Sequence, residues 1–229
     1  MSATTVDLAS GAPAQASTST VVIKAVMAIT GIILFGYVVG HLLGNLQIFL
    51  PNAKEDLRQY AALLHRYPAL LWSVRVFLIL VIVLHIWSYA ALGIRKLKAR
   101  PVRYSMKKAV GSGIAARTMY WSGPVIAAYV IYHILHLTTG TVHPDFLEGD
   151  PYDNVVIGFH SVPVAIVYIV AIILLCMHLY HGLWSWLQSL GFYHPRYTPL
   201  IQRAAAVISI LIAIGYISIP VAVMTGLVQ

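Results

Sequence analysis

Residues 160–188 read HSVPVAIVYIVAIILLCMHLYHGLWSWLQ, a run with no Asp, Glu, Lys or Arg and with His178 and His181 set inside it. A stretch this long and apolar is sufficient to cross a hydrocarbon core of about 30 Å as a helix. Imidazole is an expensive guest in such a segment, because an unpaired polar ring in hydrocarbon costs several kcal/mol. The ring therefore signals a function, and the rest of the chain repeats the pattern. Four more apolar stretches lie at about 21–49, 70–94, 119–140 and 201–226. The first three of these hold His41, His85 and His133. One histidine per consecutive span points to a shared ligand that uses imidazole nitrogens. Haem iron, with two axial positions to fill, leads the candidates.

Composition narrows the class. Of 229 residues, 59% are hydrophobic and only 10% charged, which no ordinary soluble domain shows. The single cysteine, Cys176, excludes an intramolecular disulfide and a Cys-x-x-Cys-His haem attachment, so any haem is held non-covalently. Residues 1–20 are rich in Ala, Ser and Thr and lack the basic start and short apolar core of a secretory signal. They read as a disordered tail ahead of a single membrane domain over 21–229. The net charge of +8 gathers in loops. Arg95, Lys96, Lys98, Arg100, Arg103, Lys107, Lys108 and Arg117 follow the second span, and Arg196 and Arg203 follow the fourth. Asp145, Glu148, Asp150 and Asp153 follow the third, whereas Lys54, Arg58 and Arg66 between spans one and two soften the contrast. The positive-inside rule then puts the N-terminus and the basic loop in the cytoplasm and the C-terminus outside. The same rule accounts for the charge without nucleic acid.

Depth sorts the histidines. His41 and His133 lie past the middle of outward-running spans, and His85 and His178 past the middle of inward-running ones. An outer layer (His41, His133) and an inner layer (His85, His178) follow, roughly 10–15 Å apart at the helical rise. His85 follows His41 by 44 residues and His178 follows His133 by 45, as if a two-helix unit were used twice. The expected fold is an all-α integral membrane protein of five helices. Its first four form a bundle with two cofactors, one per layer, and the fifth span, lacking histidine, packs outside. Gly36, Gly40 and Gly44 around His41 and Gly182 after His178 clear backbone for a flat macrocycle, or else serve tight helix packing. His136 and His181 follow proposed ligands by three residues, so either can replace its neighbour on the metal or reach haem propionates. Arg75 and Arg117, each at the start of its span and so on opposite sides of the membrane, either snorkel to the surface or pair with propionates.

Several stretches resemble one family. They are Gly-His-Leu-Leu-Gly-Asn around His41, Leu-His-Ile-Trp around His85, Gly123 ten residues before His133, and His178-Leu-Tyr-His-Gly-Leu-Trp-Ser-Trp running on to Pro195-Arg196 and Gln202-Arg203. Together they look like the single-polypeptide, five-helix, di-haem cytochrome b anchor of succinate dehydrogenases and fumarate reductases, over about residues 22–226. The family's glycine spacings select His178 over His181 and His133 over His136. The resemblance implies a proximal haem b on His85 and His178 and a distal one on His41 and His133. It also implies a flavoprotein with FAD and an iron–sulfur protein as cytoplasmic partners, in the cytoplasmic membrane of a bacterium. Electrons would pass between succinate and a membrane quinone, by family habit menaquinone, as in respiratory complex II. Asn45, Glu55, Tyr60 and His65 are the quinone-site candidates near the distal haem. Some relatives place a proton-carrying glutamate two residues before the ligand of span four, where this chain has Cys176. Competing readings are another di-haem quinol cytochrome (cytochrome b561-like or nitrate reductase gamma-like), a histidine-based proton-coupled transporter, and a haem-free anchor.

Overall fold

The computed structural model describes residues 19–99 and 114–229, and among these it contains helices and no strand. Most of the expected tail, and Arg100, Arg103, Lys107 and Lys108 of the basic loop, lie outside the described residues. Four helices are long and apolar enough to cross a membrane. These are α1 (Thr20–Asn45, extended by a 3-10 turn over Leu46–Phe49), α3 (Pro68–Lys98), α6 (Val162–Ser189) and α7 (Thr198–Met224). The third apolar stretch becomes α4 (Ile114–Leu137), 24 residues long. Tyr120, Trp121, Pro124, Tyr129, Tyr132, His133 and His136 leave it less apolar than the other four.

Two short helices occupy segments read as loops. Helix α2 (Ala53–Arg66) joins α1 to α3, and α5 (Pro151–His160) joins α4 to α6. The fourth span accordingly starts at Val162, because Ser161 is extended and breaks the chain after His160. Pro163 thus sits in the first turn of α6, where no intrahelical N–H is required of it.

Helix α6 is central, packing on α7, α4 and α1, while α1 packs on α3. The order around the bundle is therefore α3, α1, α6, α4, which makes α1 and α4 one diagonal pair and α3 and α6 the other. Helix α3 lies at the edge, with 6% of its most apolar stretch buried against 33% for α6. Helix α7 fills the side between α1 and α6 with a face of Ala205, Ser209, Ile212, Ile219 and Val223, spaced three, four and seven apart. It is no bystander. The Tyr216 hydroxyl donates to the Val38 carbonyl of α1 at 2.7 Å, and Leu42 closes on Gly215 so tightly that a Cβ there would meet it at 3.0 Å.

One end of the bundle is capped by α2, α5 and the C-terminus; the other carries the basic last turn of α3 (Arg95, Lys96, Lys98). At the capped end Lys54 pairs with Asp153 at 2.7 Å, and Arg58 bonds Asp150 through both its Nε and Nη2. Asp150 also caps α5, accepting from the Asp153 N–H at 3.2 Å. Burial alone would raise the Asp150 carboxyl, but the hydrogen bonds from Arg58 and Asp153 outweigh it and hold the group below the usual carboxylate range. A depressed carboxyl stabilises the fold above its unfolded pKa, and that stabilisation is lost as pH falls through its folded value. Acidification below about pH 4 should therefore lower the thermal unfolding midpoint in detergent more for the native chain than for Asp150→Asn, which keeps the cap and loses the charge.

Candidate functional site

The histidine pairs form across the diagonals. The His41 and His133 rings lie 5.9 Å apart between centroids, and the His85 and His178 rings 6.3 Å apart. Neither α1 with α4 nor α3 with α6 forms extensive helix contacts, so the rings meet across a gap that the backbones leave open. A metal–imidazole bond is about 2 Å long, so two rings on opposite sides of one ion have centroids roughly 6 Å apart. Both pairs match that separation. Their interplanar angles of 85° and 62° fit as well, since each ring plane contains its own lone pair and can turn about a common axis. Among the described residues no group of three or more His, Cys, Asp or Glu can hold a metal ion, which leaves opposed pairs as the available donor sets.

The glycines near the histidines are not close-packing positions. A Cβ added at Gly36, Gly40, Gly44, Gly123 or Gly182 would meet nothing within 4 Å. At Gly31 a Cβ would lie 3.4 Å from His85 Cε1, in ordinary van der Waals contact with the ring.

Hydroxyls hold the far side of one pair. Thr30 Oγ1 lies 3.0 Å from His85 Nδ1, and Ser122 Oγ lies 3.5 Å from His178 Nδ1. Both contacts leave Nε2 for a metal, which is how such ligands are commonly oriented. The other pair has an aromatic setting instead. Tyr37 stacks on His41 at 5.5 Å, Tyr216 lies 6.3 Å from it, and Tyr129 and Tyr168 flank His133 at 5.9 and 5.8 Å. His133 Nδ1 is buried with no hydrogen-bond partner.

Sequence reading missed these hydroxyls, although a signal was present. Residues 30–41 are TGIILFGYVVGH and residues 122–133 are SGPVIAAYVIYH. A hydroxyl, glycine, tyrosine and histidine recur at the same offsets. At about 1.5 Å per residue, the eleven steps from Thr30 to His41 and from Ser122 to His133 place the two layers about 16 Å apart.

The remaining candidates fall as follows. His136 is buried, its Nδ1 2.9 Å from the Tyr168 hydroxyl and its ring stacked on His143 at 4.7 Å, so it faces α6 and the cap. His181 Nδ1 is buried without a partner and its ring lies 5.1 Å from Trp184. Arg75 sits ten residues before His85, level with the His41 layer, its guanidinium 5.2 Å from the Trp72 ring centre. Arg117 is exposed in the first turns of α4. The quinone candidates do not converge. Glu55 lines a cavity of about 510 Å³ at the capped end with Ile48, Phe49, Pro51 and Tyr152, but Asn45, Tyr60 and His65 are not among its walls. The Asn45 side chain donates to the His41 carbonyl at 2.7 Å, and Tyr60 and His65 are exposed on α2.

No family model matches this chain, and no curated protein or solved structure is significantly similar to it.

The cap over the His41 layer depends on one close approach. A Cβ on Gly158 would come within 2.8 Å of His136 Cε1, so Gly158→Ala should cost about 1–3 kcal/mol of stability in denaturant unfolding. In the chain without cofactor, Gly182→Ala meets no atom and should be neutral or stabilising by up to about 1 kcal/mol, as helix propensity favours alanine.

Proposed function

We propose that this chain is the five-span, di-haem cytochrome b anchor of a succinate:quinone oxidoreductase in a bacterial cytoplasmic membrane. The observation that carries the reading is the pair of diagonal histidine couples at iron-bridging separation, in a bundle whose glycines leave space beside them. Helix α4 serves as the fifth span: its 24 residues reach about 36 Å, and it lies along α6. The basic turn of α3 and Arg117 support a cytoplasmic position for that end under the positive-inside rule. There they form the docking side for an iron–sulfur subunit and, beyond it, the FAD-bearing subunit.

His85 and His178 hold the haem nearer the cytoplasm, and His41 and His133 the one nearer the capped, outer end. Haem b supplies reversible one-electron transfer when bound. The protein does the positioning. Diagonal helices present the nitrogens, glycines clear the flanks, and α3, α1, α6 and α4 exclude water. Arg75 is placed at the outer level to neutralise propionate charge. Glu55, on the cavity between α2 and the C-terminal residues, is the best-placed candidate to meet a quinone headgroup, with menaquinone expected from the family resemblance.

A reduced-minus-oxidised visible spectrum of the purified chain should show b-type bands for two haems per polypeptide. His85→Ala and His178→Ala should each remove one haem, and the same one, while His41→Ala and His133→Ala remove the other. Loss of different haems on changing the two partners of one pair would break the assignment. A colourless chain made under full haem supply would overturn it.

A further inference from the structure

Each histidine of the layer nearer the basic end is met by a hydroxyl from the helix packed beside its own. For His85 that hydroxyl is Thr30, 4% exposed and enclosed between α1 and α3. Its oxygen lies 2.7 Å from the Val26 carbonyl and 3.1 Å from the Met27 carbonyl of its own helix. A threonine hydroxyl has one proton, and only a donor can serve a carbonyl. That proton is thus committed to the helix backbone, and toward His85 the oxygen can only accept. His85 must then carry its proton on Nδ1 and present Nε2 with a free lone pair.

We propose that Thr30 is a positioning residue for the His85 metal site, fixing the ring's tautomer and orientation and lowering the reduction potential of iron bound at Nε2. The inference rests on the haem reading above. An imidazole whose N–H is given to an acceptor is a stronger donor through its other nitrogen. A stronger donor favours the ferric state, and hydrogen bonding around the ligands is a recognised lever on haem potential. The negative end of the hydroxyl dipole beside the ring acts in the same direction. Ser122 repeats the hydroxyl contact on α4 beside His178, at a longer 3.5 Å. In the His41 layer, by contrast, His133 Nδ1 is buried without a hydrogen-bond partner.

The test is a dithionite redox titration of the purified, haem-loaded chain, following the visible band that His85→Ala abolishes. Thr30→Val, nearly isosteric, should raise the midpoint of that band and leave the other haem unmoved; Thr30→Ser should restore the native value. Ser122→Ala should shift the same band upward by less. If Thr30→Val does not assemble, Thr30→Ala takes its place. Two haems with an unmoved midpoint in Thr30→Val would overturn the role of Thr30 and leave the cofactor reading standing. An equal shift of both haems would overturn it too, since the effect would not be local to His85. A native chain that takes up no haem would sink both together.

Discussion

Imidazole buried among aliphatic helices has to find something to do with its nitrogens, and most of this architecture follows from that demand. One nitrogen of His85 is satisfied by Thr30 and one of His178 by Ser122, which leaves the inward-facing nitrogen of each ring without protein partners of its own. The rings turn toward each other across helices that barely touch. A bundle optimised only for packing would close that gap with leucine. Here histidines face one another instead, and no atom lies within 4 Å of where a Cβ would stand on Gly36, Gly40, Gly44, Gly123 or Gly182. The cost of exposing polar rings and forgoing contacts is rational if a large flat group completes both.

The capped end shows how the gap is kept from collapsing. Helix α7 braces α1 and α6 from outside through Tyr216 and the Leu42–Gly215 contact, so the central pair of helices is held without filling the interior. Helices α2 and α5 are drawn together by Lys54, Arg58, Asp150 and Asp153. Beneath them His143 donates to the Asn154 carbonyl, and His136 engages Tyr168. These contacts commit His136 to the lid, which explains why it is not turned toward His41, while His143 Nδ1 stays buried without a partner.

Much of this was legible from the chain. Apolar length gave the long helices, and helical rise with alternating direction sorted four histidines into two layers before any contact was known. Helix α2 was not legible because its face is too polar to register as a span, and α5 because ten residues beginning at Pro151 look like a turn. The role of α7 was hidden by its lack of histidine: bracing is carried by small residues and one tyrosine, which hydropathy cannot distinguish from lipid-facing filler. Thr30 and Ser122 were overlooked since a lone hydroxyl in a span commonly bonds its own backbone, as Thr30 also does. Only the repeated twelve-residue pattern, with Tyr37 and Tyr129 in register, marks them out.

The diagonal arrangement has an implication for biogenesis. Each couple takes one ring from the α1–α3 half and one from the α4–α6 half, so a half made alone has two single, unmatched imidazoles and no complete pocket. A group gripped between the rings, as the haem reading proposes, would at the same time be a rivet between the halves. On that reading, supply of the group would govern whether newly inserted chain matures or is cleared.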